Sequence, residues 1–142
     1  MLSKKKLLLA LVCVLVCSGV AIAALCSTGQ QLYSKHQESL ANLSTASIEK
    51  DRAKIAMDDA YAAYTAWQLA VVNHLQIHGG CVPETCPTMQ SLQQSLGAAY
   101  NTWQSKVADY QLWSNVYDAM KAIAQMDFNA WTNHRYACSI CP

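Results

Sequence analysis

Between Gln30 and His78 the chain has neither glycine nor proline, and between Thr88 and Ile140 it has one glycine, Gly97. Both stretches are rich in Ala, Leu, Gln and Met, residues that lose little freedom in a helix. Punctuation concentrates between them, in Gly79-Gly80-Cys81-Val82-Pro83-Glu84-Thr85-Cys86-Pro87. The pattern predicts an all-α chain with helices at about 30–78 and 88–136, joined by a turn over 79–87. Counting back from the turn in threes and fours gives His78, His74, Val71, Trp67, Tyr64, Ala60, Met57 and Ala53, a heptad seam. Further back the seam weakens to Lys50, Ala46, Leu43 and Ser39. The poor helix formers of Asn42–Ser47 predict a kink or fraying there. The second helix shows a matching face: Leu92, Leu96, Ala99, Trp103, Val107, Tyr110, Trp113 or Ser114, Tyr117, Met120, Ala124, Phe128 and Trp131.

An internal echo supports a fold-back. Ala62-Ala63-Tyr64-Thr65-Ala66-Trp67-Gln68 is matched by Ala98-Ala99-Tyr100-Asn101-Thr102-Trp103-Gln104. Reversing the chain midway between Cys81 and Cys86 brings Tyr64 level with Trp103 and Trp67 level with Tyr100. The same register sets Cys26 level with Cys141. The expected architecture is a long antiparallel two-helix hairpin of coiled-coil type, with Tyr64, Trp67, Tyr100 and Trp103 in its seam and Glu84 exposed at its tip.

The N-terminus has a different pattern. Lys4-Lys5-Lys6 precedes an uncharged run from Leu7 to Leu25, roughly 28 Å as a helix, about one bilayer core. The lysines orient such a segment with its N-terminus in the cytoplasm. Residues 1–26 therefore read as a membrane anchor contacting lipid through 7–25, or as a signal peptide with Ala21 and Ala23 supplying a small-residue cleavage site. Either way residues 27–142 lie outside the cytoplasm, periplasmic or extracellular, anchored in one case and secreted in the other. Leu25 is too large for the lipoprotein-type processing that Cys26 would otherwise fit. Cys13 and Cys17, four apart in the apolar run, read as small hydrophobes. Cys26-Ser27-Thr28-Gly29 is the expected break before the first long helix, with Ser27 or Thr28 as its N-cap.

The chain has 142 residues, a formal charge of +1 and seven cysteines. That is one domain's length, without the basic face that nucleic acid needs, and with the cysteine density of an oxidising compartment. A disulfide between Cys81 and Cys86 would clamp the turn, worth about 2 kcal/mol in the chain-entropy model. Cys138 and Cys141 resemble a redox pair, but they follow a helix C-terminus, where the dipole disfavours a thiolate. A structural disulfide is expected for them, within the pair or to Cys26. The odd cysteine, with Cys26 the leading choice, is available to a second chain. The rival chemistry at the turn is a metal site of His74, His78, Cys81 and Cys86, an N2S2 donor set suited to zinc but with unusual spacing. His36 and His134 fall at the opposite end, without a recognised ligand spacing.

Glu49, Lys50, Asp51, Arg52, Lys54, Asp58 and Asp59 mix signs at helical spacing and read as a solvated face. Tyr33, Trp131 and Tyr136 suit either a membrane interface or an ordinary core. Asn42-Leu43-Ser44 is a glycosylation sequon wherever that pathway exists. No glycine-rich nucleotide loop and no nucleophile–base signature is present, and a two-helix hairpin offers little concavity. No enzymatic activity and no cofactor are expected. Large residues outside the seam (Ile48, Ile55, Tyr61, Leu69, Leu112, Ile123) and few charges on the second helix predict self-association, in the simplest case into a four-helix bundle. The resulting expectation is an anchored hairpin with a structural or protein-interaction role, its protein partner unknown. It would reach about 70 Å by helix rise. The alternatives are a metal- or redox-handling protein built on the turn and a secreted helical effector.

Overall fold

The computed structural model describes residues 4–79 and 82–137, with side chains from residue 23 onward. Two helices, α1 (Lys4–Ile77) and α2 (Pro87–Ala137), pack as an antiparallel hairpin, and no strand occurs among the described residues. Helix bounds near the turn fall within a residue or so of those predicted, as ragged helix ends allow.

The expected break at Cys26–Gly29 does not occur, because α1 runs through it. The Thr28 hydroxyl donates to the Ala24 carbonyl one turn back (3.0 Å) instead of capping a new helix. A single internal glycine costs a helix about 1 kcal/mol, too little to stop one with good formers on both sides. Asn42–Ser47 is also continuous helix. Ala46 within it is buried, so packing overrides the weak local propensity.

The anticipated membrane span is not established. Among the described residues no helix is long and apolar enough to cross a membrane. Positions 7–22, most of the anticipated span, lie outside the residues whose side chains are described.

The turn is a short hydrogen-bonded unit. His78 N–H donates to His74 O, extending α1 slightly. Thr85 N–H and Cys86 N–H both donate to Val82 O, at 3.1 and 3.0 Å. Gln90 N–H donates to Cys86 O, which makes Cys86 the N-cap of α2 and Pro87 its first helical residue. Proline suits that position because its missing N–H would have had no helical partner.

The chain divides into two compact units, Ser44–Ala119 and Met1–Leu43 with Met120–Pro142. In the first, the fully buried residues are Ala46 and Met89, the latter 1% exposed. Much of the rest of its seam is half-buried: Ala53, Met57, Ala60, Tyr64 and Val71 on α1, and Leu92, Leu96, Ala99, Trp103, Val107 and Tyr110 on α2. Lys50, where the heptad pattern faltered, still faces inward. Its stem packs while Nζ lies 4.6 Å from the Tyr117 ring centroid, a cation–π contact that makes a lysine tolerable in the seam.

The second unit has a different interior. Its buried described residues are Ala124 and three polar ones, His36, Ser39 and Asp127. Ser39 satisfies its hydroxyl on the His36 carbonyl at 2.9 Å. Asp127 pairs with Lys35 at 3.2 Å. Gly29 permits a close approach here, since a Cβ at that position would lie 3.0 and 3.1 Å from the His134 ring.

Candidate functional sites at the turn, the aromatic seam and the polar core

At the turn, helical spacing stacks His74 and His78 on one face of α1, with ring centroids 4.7 Å apart. The fold-back then brings the start of α2 against His74, whose Nε2 lies 3.4 Å from Cys86 Sγ. Cys86 is disulfide-bonded. A disulfide sulfur can only accept, so Nε2 carries the proton in this contact. Three of the four residues proposed for zinc therefore meet, while the fourth, Cys81, lies outside the described residues. No group of three or more His, Cys, Asp or Glu is arranged to hold a metal ion among the described residues. Zinc binds cysteine as thiolate, and a sulfur held in a disulfide is not one. Glu84 is exposed in the turn, as the sequence placed it. Met89, which the sequence reading passed over, continues the Leu92–Leu96 spacing one step toward the turn and is the most buried residue described.

The aromatic seam comes directly from the internal echo. Tyr64 stacks on Trp103 at 5.7 Å with the rings 7° from parallel. Tyr61 meets Trp103 at 5.4 Å and Tyr100 meets Tyr64 at 5.5 Å, giving a four-ring cluster. The Tyr64 hydroxyl accepts from Gln68 Nε2 at 2.7 Å. The echo is not realised symmetrically. Tyr100 turns to Tyr64 and Trp103, whereas Trp67 is 39% exposed. Tyr61 and Tyr100 are each about half exposed.

The charged run on α1 is a set of local pairs. Arg52 bonds Glu49 at 2.6 Å and Lys54 bonds Asp58 at 2.7 Å. The hydrogen bond that Lys54 donates to Asp58, and then the charge of Asp58, raise the Lys54 ammonium above its ordinary 10.5. Both pairs are exposed, in keeping with a solvated face.

In the polar core, the His36 ring stacks on Trp131 at 5.9 Å and 12°, and meets Phe128 at 5.3 Å. Tyr33 closes on Trp131 at 5.2 Å. His36 is 8% exposed and its Nδ1 has no hydrogen-bond partner. His134 turns elsewhere, donating from Nε2 to the Leu25 carbonyl at 3.0 Å. The two histidines thus serve separate contacts. Neither His36 nor Asp127 was legible as a buried group, because each is a polar residue beside an apolar spacing.

Cys26 is also disulfide-bonded. No disulfide joins two described cysteines, and Cys138 and Cys141, like Cys81, lie outside the described residues. So do the side chains of Cys13 and Cys17. Asn42 of the sequon is exposed on α1 and Tyr136 is almost fully exposed near the end of α2.

No protein-family model matches this chain, and neither a curated protein nor a solved structure matches it.

Proposed function

We propose that the protein is a non-enzymatic, membrane-anchored extracytoplasmic hairpin with a structural or protein-interaction role, stapled by disulfides and completed by self-association. The observation that carries this reading is the imbalance between interior and surface. Three hydrophobic residues, Ala46, Met89 and Ala124, are fully buried among those described, while eighteen large hydrophobics are exposed. Ile48, Ile55 and Leu69 recur at multiples of seven on α1, with Ile55 and Leu69 about 60% exposed. On α2 the matching exposed positions are Leu112, Ile123 and Met126. Apolar stripes at heptad spacing are what a second hairpin covers in a four-helix bundle.

In this reading Cys81 pairs with Cys86 to clamp the turn, and Cys26 bonds one of the cysteines near the C-terminus. If Cys26 takes one of them, the odd thiol available to a second chain is the other of Cys138 and Cys141. Glu84 and the half-exposed Tyr61 and Tyr100 are the surfaces offered to a protein partner.

Sedimentation of the natively processed protein across a micromolar concentration series tests the assignment, alongside its intact mass. An oligomer with residues 1–26 retained is the expected result. A monomer throughout would sink the self-association reading. A mature start at Ala24 would replace the anchored hairpin by the secreted effector. Stoichiometric zinc with free thiols would replace it by the metal-handling protein.

A further inference from the structure

His74 and His78 stand one helical turn apart at the end of α1, whose last residue is Ile77. His78 N–H donates to His74 O at 3.0 Å, so the helical register extends to the second histidine. The two rings share one face, with centroids 4.7 Å apart. An imidazole bound at about 2.0–2.1 Å has its centroid about 3.2 Å from the ion, so two at right angles on one ion lie about 4.5 Å apart. The observed separation is close to that value. His74 donates Nε2–H to Cys86 Sγ at 3.4 Å, which leaves its lone pair on Nδ1. Ligating histidines hold their second nitrogen in such a bond, which fixes the tautomer and orients the ring. His74 is half-buried and His78 exposed, so an ion reaches them from solvent. The electrostatic setting also favours a cation. The last turn of α1 is the negative pole of its dipole and carries carbonyls without helical partners. Between Lys54 and Lys106 the chain has no lysine or arginine, and Glu84 is exposed in the turn.

We propose that His74 and His78 form a bis-imidazole site for a divalent late first-row transition ion, with water in the remaining positions. Cu2+ is its tightest ligand. Imidazole suits zinc, nickel and copper alike, the affinity order peaks at copper, and a tetragonal nitrogen–oxygen set is the one copper favours. No sulfur is a ligand. Cys86 acts on the site only by holding the His74 ring, and the disulfide that removes its thiolate leaves both imidazoles unchanged. This separates the site from the set of His74, His78, Cys81 and Cys86, which needs thiolates. By bridging two residues of the last turn, the ion stabilises α1 where a helix end otherwise frays. Such a site goes beyond the structural role proposed above and depends on neither the anchor nor self-association.

Titration of the full, oxidised chain with Cu2+ tests this, free thiols being alkylated beforehand so that they neither bind nor reduce the ion. The expected result is one Cu2+ per chain, with hyperfine coupling to two imidazole nitrogens in the electron paramagnetic resonance spectrum. The melting temperature should rise with bound copper, as for any ligand of the folded state. His74→Gln and His78→Gln should each weaken binding at least about tenfold, because losing one arm removes the chelate. His134→Gln, whose ring is bonded to the Leu25 carbonyl, should change it by less than about twofold. Copper held through one nitrogen, or bound within about twofold of the parent affinity after either turn substitution, is an adventitious ion only and overturns the assignment. If circular dichroism shows that His74→Gln, at a half-buried position, loses helix, His78→Gln at its exposed position decides alone.

Discussion

Gly29 and Gly97 both occupy helix interiors, and the same substitution should act oppositely at them. Gly97 lies inside α2, and a Cβ built there meets nothing within 4 Å. Alanine should therefore realise its full helix preference over glycine, about 1 kcal/mol. For a chain of this size that corresponds to a rise of about 3–4 °C in melting temperature. Gly29 lies inside α1 and offers the same propensity gain, but its Cβ would fall 3.0 Å from His134 Cδ2 and 3.1 Å from Nε2. The ring cannot retreat freely, because Nε2 donates to the Leu25 carbonyl at 3.0 Å on the same helix. Losing that bond costs about 0.5–1.5 kcal/mol, which cancels the propensity gain or reverses it. Urea unfolding followed by far-ultraviolet dichroism should show Gly97→Ala more stable by about 1 kcal/mol and Gly29→Ala unchanged or weaker. In a His134→Ala background the obstacle is gone, and Gly29→Ala should recover the missing stabilisation. If Gly29→Ala stabilises the otherwise native chain as much as Gly97→Ala does, the close approach of His134 is wrong.

Other perturbations separate the interior from the surface. Trp103→Ala removes a half-buried ring stacked on Tyr64 and should cost about 2 kcal/mol or more, whereas Trp67→Ala should cost well under half of that in the monomer, read by the same denaturation. Lys35→Met should destabilise more than Asp127→Leu. The first strands a buried carboxylate, at a cost of about 1–3 kcal/mol, while the second frees a lysine that is already largely in water. The Lys54–Asp58 pair contributes only below the folded-state pKa of the ammonium, which Asp58 raises. Its contribution should persist at neutral pH and disappear as pH climbs past 10.5, and a loss of Lys54–Asp58 coupling on acidifying from pH 9 to pH 7 in a double-mutant cycle would contradict that sign. Alanine at Ile55 and Leu69 together should leave monomer stability nearly unchanged while weakening self-association, measured by sedimentation.

The hairpin was legible because helix breakers are informative mainly by where they are absent. Once the turn was located, pairing Tyr64 with Trp103 needed no further information, and the Lys50–Tyr117 contact obeys the same register. The continuity of α1 through Cys26–Gly29 was not legible. A serine, a threonine and a glycine carry the same local signal whether they cap a helix or bond back along it. Here the helix formers on both sides and the Thr28 bond back to Ala24 carry α1 through, and His134 from α2 seats against Gly29. Met89 lies three residues before Leu92 and so was legible in principle, although it falls in the first turn of α2, where the end of a helix is often solvated. Trp67 shows the limit of symmetry as evidence. Its echo partner Trp103 packs inward, yet a two-ring match across a seam leaves room for only one of the two to stack fully.

The polar interior around His36 bears on how a seam with alanines repeated along it holds one register. Alanines at Ala46, Ala53, Ala60, Ala99 and Ala124 offer similar holes at successive turns, so sliding one helix along the other by a heptad would preserve much of the apolar contact. It would not preserve the fit of single, unlike features. The Lys35–Asp127 pair, the Gly29 notch that takes His134, and the packing of Phe128 and Trp131 on His36 each occur once among the described residues. Slipping by a turn would bury Asp127 without its lysine and press a Cβ-bearing residue against the His134 ring, each at a cost comparable to a lost core contact. The buried Nδ1 of His36 has no hydrogen-bond partner, which costs stability, so the ring is held here by its packing against Trp131 and Phe128. On this account the four-ring cluster supplies adhesion to one unit, and the polar core of the other fixes which residues meet.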